Sequence, residues 1–363
     1  MTDVAREAGV SVMTVSYVFN RPQRVSPGIR EVVVQAARRL NYHGPDPAAR
    51  SLARGRSNSV GVVVGEGLTY AFDDPQSTRF LVGVAAVCVE YQQNMVLIPA
   101  AGDIGDASRV REAAVDSYIL WTGVRDGPVL DAIIATGKPV AIQGPPPGSL
   151  RPDPGRPDPG QTGNPGDRQI RVVAADDRSA ASAVTSAAFA GARAPAVVSF
   201  ALSPEGSPTI VRGPSVSKVA FASARERLRG IQQQCRRMRI PWSDVRVAVV
   251  ARNNRQDARA LLEELVDDPS PPDAIVAMSD ELALAMLDII DQRGWRVPED
   301  VTVSGWDDSP AAAQHDLTSV HQSLEEQGTL CALFVLGREG QHETPAWRLI
   351  ERGSTSRQQS RTA

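Results

Sequence analysis

The chain has 363 residues, 42% of them hydrophobic and 22% charged, with a formal net charge of -3. That length is too great for one ordinary core, and the balance excludes a disordered or fibrous protein, so two or three folded units are expected. The charge is unevenly placed: residues 1–59 carry nine Arg against Asp3, Glu7, Glu31 and Asp46, a net of +5, which leaves -8 for the remainder; a basic head of this kind suits contact with a polyanion.

Taken from the N-terminus, Thr2 is placed to cap a helix through Ala8, with Val4, Ala5 and Ala8 as one apolar stripe and Gly9 supplying a positive φ at its end. Ser11 is a good cap for a second helix from Val12 to about Asn20, whose buried face is Val15, Val18 and Phe19. Two helices joined by so short a turn make a helix-turn-helix. The opposite face of the second helix carries Val12, Met13, Ser16, Tyr17 and Asn20. A major groove admits one helix, and residues near its start reach base edges, so Val12, Met13 and Tyr17 are candidates for base readout. The competing reading is that these three pack on a neighbouring element as core. Ser26-Pro27 starts a third helix, with Ile29, Val33, Ala36, Ala37 and Leu40 in a stripe. Asp46-Pro47 repeats that signal, but Ala48 to Arg54 gives under two turns, too few to be stable alone. A conditional helix with Leu52 among Arg50, Arg54 and Arg56 fits a minor-groove wedge flanked by phosphate-neutralising charges.

From Val60 onward, apolar runs (VGVVV, MVLIP, YILW, PVAIQ, RVVA, AVVSF, VRVAVVA, AIVAM and VTVSGW) alternate with helical periods at 78–93, 129–136, 179–190, 219–238, 256–266 and 280–293. Uninterrupted apolar strands separated by helices predict parallel sheets covered on both faces. Nine strands fit two Rossmann-like lobes, with a ligand beyond the carboxyl ends of the strands, between the lobes. Residues 144–169 contain RPDPG twice in tandem and too many Pro and Gly for helix or strand, so they read as a surface loop.

Cys88, Cys235 and Cys331 form no CxxC pair, and His43, His315, His321 and His342 show no metal-ligand grouping, so neither a metal nor a cofactor is expected. Gly65-Glu66-Gly67 follows a strand without a third glycine at the dinucleotide spacing, and no Walker loop, HExxH or GxSxG occurs, so no catalytic residue is assigned. No apolar run approaches a membrane span and no secretory signal is visible, which places the expected site of action in the cytoplasm. The rival readings are an α/β enzyme, or a small-molecule-binding protein without a regulatory role.

The run TDVAREAGVSVMTVSYVFNRPQRVSPGIREVVVQAARRLNY, followed by PDPAARSLARGRS and VGVVV, resembles the headpiece, hinge helix and first core strand of LacI-type repressors. AMSDELALAML, VPEDVTVSGWDDSPAAA, LTSVHQSLEEQG and RLIERGSTS are similar to successive segments of the effector domain of that family. The resemblance implies a small all-α helix-turn-helix headpiece joined to a two-lobed, periplasmic-binding-protein-like α/β domain. The expected divisions are a headpiece at 1–45, a hinge at 46–59, an N-terminal lobe at 60–188 with 322–338, and a C-terminal lobe at 189–321 with 339–363. The chain would cross between the lobes three times. By the same resemblance, Val12 and Met13 are the paired base readers, Thr14 and Ser16 approach the DNA backbone, and Leu52 is the hinge leucine. Thr2, Ser11, Asn20 and Arg24 complete the expected DNA-binding set, with Arg50 and Arg54 beside the wedge. Tyr17 stands where many members carry arginine, and Gly44 looks like one extra residue before the hinge proline.

In the effector domain the resemblance points Arg227 into the cleft, sets Asp307 as acceptor for ligand hydroxyls, and places Trp242 as a stacking aromatic. Ser279 replaces a frequent asparagine ahead of Asp280, and Glu66, Tyr70 and Phe72 are expected from the other lobe. The function implied is a sequence-specific transcriptional regulator, a repressor, controlled allosterically by a sugar or nucleoside. Its partners would be double-stranded operator DNA and a second copy of the chain, with a tetramer left open.

Overall fold

The computed structural model describes residues 1–44, 55–65, 68–100, 103–121, 127–145, 170–203, 206–338 and 346–356, without the side chain of Tyr70. The expected hinge helix with Arg50, Leu52 and Arg54, the tandem RPDPG segment and Glu66 therefore lie outside the described residues. The chain divides into two compact units, Met1–Asn58 and Ser59–Ala363.

The first unit is three helices around a small core: α1 (Thr2–Ala8), α2 (Val12–Asn20) and α3 (Pro27–Arg39), with a 3-10 turn at Pro22–Arg24. Val4, Ala5, Val15, Val18, Val33, Ala36 and Ala37 are its buried residues. Thr2 does not cap α1; it is the first helical residue, the cap position falls on Met1, and no side chain bonds there. Ile29 and Leu40, expected in the stripe of α3, are exposed, because the core is closed by the shorter series Val33, Ala36 and Ala37.

The second unit begins with a five-stranded sheet. Its elements are β1 (Ser59–Val64), α4 (Leu68–Asp73), α5 (Pro75–Glu90), β2 (Asn94–Pro99), α6 (Asp106–Glu112), β3 (Ser117–Trp121), α7 (Pro128–Ala135), β4 (Val140–Gln143) and β5 (Ile170–Val173). The strands lie in the order β2-β1-β3-β4-β5 and every pairing is parallel. Period-two alternation sends Val60, Val62 and Val64 into one apolar cluster and Val63 into another on the opposite face. Both clusters are roofed by helices, which is why β1 reads as an unbroken apolar run.

The second lobe follows: α8 (Asp177–Ala188), β6 (Pro195–Ser199), β7 (Thr209–Arg212), α9 (Ala222–Arg237), β8 (Arg246–Val249), α10 (Arg255–Val266), β9 (Ala274–Ala277), α11 (Asp280–Gln292), β10 (Thr302–Trp306), α12 (Pro310–Gln314) and β11 (Thr318–His321). The chain then returns to the first lobe as α13 (Leu324–Val335) and ends in the second with β12 (Arg348–Ile350). The seven strands run β12-β11-β10-β9-β6-β8-β7. The nine expected strands all form. The three that were not anticipated, β7, β11 and β12, lie at or beside the edges, and β7 and β12 pair antiparallel, so this sheet is mixed rather than purely parallel.

One expected division moves. Ala180, Ala181, Val184 and Ala188 on α8 are buried with Leu228 and Ile231 of α9, and with Val197, Val247 and Val276 of the second sheet. The helix thus belongs to the C-terminal lobe, and the first crossing falls at 174–176, not at 188. A second crossing lies at 322–323, between β11 and α13, and a third after Val335. The return helix is held by close approach: a Cβ at Gly328 would collide with the Phe80 carbonyl of α5, and one at Gly83 with the Glu325 carbonyl of α13. Only glycine lets these two backbones meet at that spacing.

Candidate DNA-reading headpiece and ligand cleft

The turn between α1 and α2 is built as its residues require. Gly9 takes φ 64° and closes α1 through its N–H to the carbonyls of Ala5 and Arg6. The Ser11 hydroxyl accepts from the Thr14 N–H at 3.0 Å and pairs with the Thr14 hydroxyl at 2.9 Å, the capping interaction that fixes where α2 starts. Val15 and Val18 face inward, whereas Val12 is 42% and Met13 64% exposed at the first turn. That exposure decides between the two readings of these residues within the headpiece: Val12 and Met13 are surface, not core. Tyr17 is half-buried on the same helix, Ser16 accepts from the Asn20 side-chain amide at 3.2 Å, and Arg24 is exposed on the 3-10 turn.

In the second unit a cleft of about 510 Å³ opens between the lobes, where the carboxyl ends of both sheets meet. The N-terminal lobe contributes Asp73 and Asp74 before α5, Gln76 and Ser77 on its first turn, and Trp121 at the end of β3. The C-terminal lobe contributes Asp177, Phe200, Phe221, Arg227, Asn253 and Asp307, with Gln322 from the crossing. Asp74 caps α5: its Oδ2 accepts from the Ser77 N–H and hydroxyl, both at 2.8 Å, and Trp121 Nε1 donates to that hydroxyl at 3.0 Å. The Trp121 ring is stacked on Phe80 at 4.3 Å between centroids. The other carboxyl oxygen of Asp74 accepts from Asn253 Nδ2 at 3.0 Å, a direct bond from one lobe to the other.

Arg227, expected in the cleft, lies there, buried on α9. Its guanidinium sits 4.0 Å from the centre of the Trp306 ring, one Nη donates to the Met278 carbonyl, and Asp177 lies 3.7 Å from Nε. At that distance Asp177 is an ion-pair partner without a hydrogen bond, and Nε is a buried donor with no hydrogen-bond acceptor among the described residues. Burial pushes the Asp177 carboxyl above its ordinary pKa, and Arg227 opposes the rise.

Asp307 also lies in the cleft, immediately after β10. It and Asp308 hold φ 109° and 50° in succession, a conformation that non-glycine residues rarely adopt. The strain is held by neighbours: Asp307 N–H bonds Val320 O at 2.7 Å, Asp308 N–H bonds Ser319 Oγ at 3.0 Å, and Arg352 grips the Asp308 carboxylate at 2.6 Å. Gln322 Nε2 donates to Asp307 Oδ1 at 3.1 Å. Burial, reinforced by the nearby Asp280 carboxylate, lifts the Asp307 pKa well above the ordinary carboxylate range against the pull of Arg227.

Three expected residues are not on the cleft. Trp242 lies in a 3-10 turn beyond α9, donates to the Pro214 carbonyl at 3.0 Å and packs against the core of its lobe. Phe72 is 63% exposed and points elsewhere, while Thr69 and Asp73 of the same helix line the cavity. Ser279 stands one shell back, where it caps α11 and bonds Asn253 Oδ1. The aromatic wall is formed instead by Trp121, Phe200 and Phe221. Asp74 could have been found from Asp74-Pro75, the same helix-start signal as Ser26-Pro27, and Asn253 from its place just beyond the strand run VRVAVVA.

A two-lobed α/β binding core behind a helix-turn-helix headpiece defines a class, the ligand-responsive DNA-binding regulators. Comparison with known proteins makes the assignment narrower. Residues 1–45 match the family model for bacterial regulatory proteins of the lacI family, and residues 210–355 match the periplasmic binding protein-like domain. The chain thus joins a lacI-family DNA-binding headpiece to a periplasmic-binding-protein-like domain, and over nearly its whole length it is similar to HTH-type transcriptional regulators. It is 29% identical to the HTH-type transcriptional regulator IpsA of Corynebacterium glutamicum, over 90% of this chain and 88% of that protein. It is 28% identical to the regulator CelR of Thermobifida fusca, over 96% and 94%. A structure of a CelR–cellobiose complex superimposes with a TM-score of 0.61 at 26% identity, covering 97% of this chain and 98% of that one. The lac repressor dimer bound to operator and the anti-inducer ONPF shares the fold at a TM-score of 0.71 and 20% identity, over 97% and 98%.

Proposed function

We propose that the chain is a repressor whose operator affinity is set by a neutral polyhydroxylated molecule, a sugar or nucleoside, held between the lobes. The observation that carries this reading is that Arg227 and Asp307 both line a cleft of about 510 Å³, a volume suited to a small molecule. Arg227 brings a buried Nε–H without a hydrogen-bond partner among the described residues, and Asp307, whose pKa burial raises, brings carboxyl oxygens. A hydroxyl group matches both. The lining also carries Asp73, Asp74, Asp177 and Asp257 against Arg227 and Arg252, so a phosphate or carboxylate ligand would meet an excess of like charge. The sugar class is supported by the CelR–cellobiose complex and by a 25% identical ribose operon repressor of Haemophilus influenzae.

The mechanism is a linkage between two sites. The chain acts in the cytoplasm as a homodimer that presents two headpieces to an inverted repeat, with Leu52, Arg50 and Arg54 of the hinge at its centre. A ligand that prefers one angle between the lobes shifts the hinge separation, and operator affinity and ligand affinity change by the same factor.

The test begins with selection of bound duplexes from a random pool by the full-length protein at physiological salt, followed by a screen of neutral sugars and nucleosides for a change in operator affinity. An inverted repeat and a responsive ligand are expected. Arg227→Ala should then abolish the ligand response while operator affinity stays within about twofold, since loss of a charge-assisted contact costs on the order of 3 kcal/mol at the cleft alone. An undiminished response in Arg227→Ala would remove Arg227 from the site, and salt-labile, sequence-independent binding throughout would overturn the regulator reading.

A further inference from the structure

We propose that Val12 and Met13 read the operator through the C5 methyl groups of thymine, so that apolar contact rather than hydrogen bonding to guanine sets specificity under the start of α2. The inference rests on the regulator reading above. Helix α2 has the sequence VMTVSYVFN and carries no charged side chain. Apart from Tyr17, one turn further on, its polar side chains bond locally: the Thr14 hydroxyl pairs with Ser11, and the Asn20 amide donates to Ser16. What the first turn offers outward is the two methyls of Val12 and the thioether chain of Met13, the latter 64% exposed. Large apolar side chains exposed at a helix start, on a headpiece that also exposes Arg21, Arg24 and Arg30 beyond the end of that helix, suit a surface that approaches phosphates while offering apolar contact at the start of α2. In the major groove only thymine presents an apolar group, its C5 methyl; the other base edges present donors and acceptors, which this turn has no bidentate side chain to meet.

The experiment takes the operator recovered by selection and replaces each thymine, one at a time, with uracil, which deletes the methyl and leaves every hydrogen-bonding group in place. Uracil at one or two positions per half-site is expected to weaken binding about fourfold per methyl, as burial of one such group implies, and about sixteenfold when both half-sites are changed. Met13→Gln, a substitution at an exposed position that leaves the headpiece core intact, is expected to erase the thymine–uracil difference at one of those positions while retaining the salt dependence of binding. Uracil tolerated at every position by the unaltered protein would overturn methyl readout while leaving the regulator reading standing, because the selected sequence would remain. Recovery of no preferred sequence would overturn both.

Discussion

At the scale of single residues, the site is an exercise in holding groups where they would not sit unaided. Asp307 is buried, strained in φ and close to a second carboxylate, and its raised pKa has a consequence for stability. A carboxyl whose folded pKa lies above its unfolded value contributes stability that is complete below the unfolded pKa and is lost as pH rises through the folded one. The protein should therefore lose stability as pH climbs from the ordinary carboxylate range into the raised one. Asp307→Asn, which cannot ionise, should flatten part of that slope, the remainder belonging to Asp177 and Asp280, which are also raised by burial. Tm measured against pH for both proteins checks it: the gain of the variant over the parent should grow with pH, and a gap independent of pH would contradict the assignment. Arg227 and Asp307 were legible in the sequence because each sits in a motif whose neighbours fix its place. Trp242 was not, since an aromatic side chain after a helix serves core and ligand equally well and only the path of the chain separates them.

At the scale of elements, hydrophobic periodicity carried most of the fold. Every strand with an unbroken apolar run forms within a residue or two of its expected place; most are central strands, which have no polar position to obscure them, and the edge strand β2 forms as well although only partly buried. The strands that escaped notice, TIVR, TSVH and RLI, are short, mixed in polarity and at or next to an edge, where one side of the ladder needs no apolar partner. Helix α8 is legible in the sequence as a helix but its lobe is not, since its small apolar face, Ala180, Ala181, Val184 and Ala188, does not say which sheet it will cover. The crossing of α5 with α13 was invisible for a similar reason: Gly83 and Gly328 are ordinary in sequence and exacting in space. Gly328→Ala should force the helices apart and cost about 3 kcal/mol, a fall of several degrees in Tm, whereas Gly105→Ala, whose Cβ would meet nothing, should stay within about 0.5 kcal/mol. Equal melting of the two variants would show that the crossing is looser than it looks.

At the scale of the whole molecule, the cleft is a boundary between two lobes. The bond from Asn253 to Asp74 spans it, with Ser279 behind one end and Ser77 and Trp121 behind the other. Asn253→Ala should remove about 1 kcal/mol of preference for this arrangement of lobes and weaken a ligand that binds it about fivefold; titration of the effector measured by calorimetry would show it, and unchanged affinity would mean that the bond breaks on binding. The three passages between the lobes give the molecule a further property. Neither lobe is a continuous length of chain: the first lacks a wall until α13 returns with Leu330, Cys331 and Phe334, and the second lacks its outer strand until β12 arrives. A cut at 174–176 would therefore release nothing, because α13 of the C-terminal fragment would still be packed in the first lobe, and the halves could part only by first melting that helix out of a finished core.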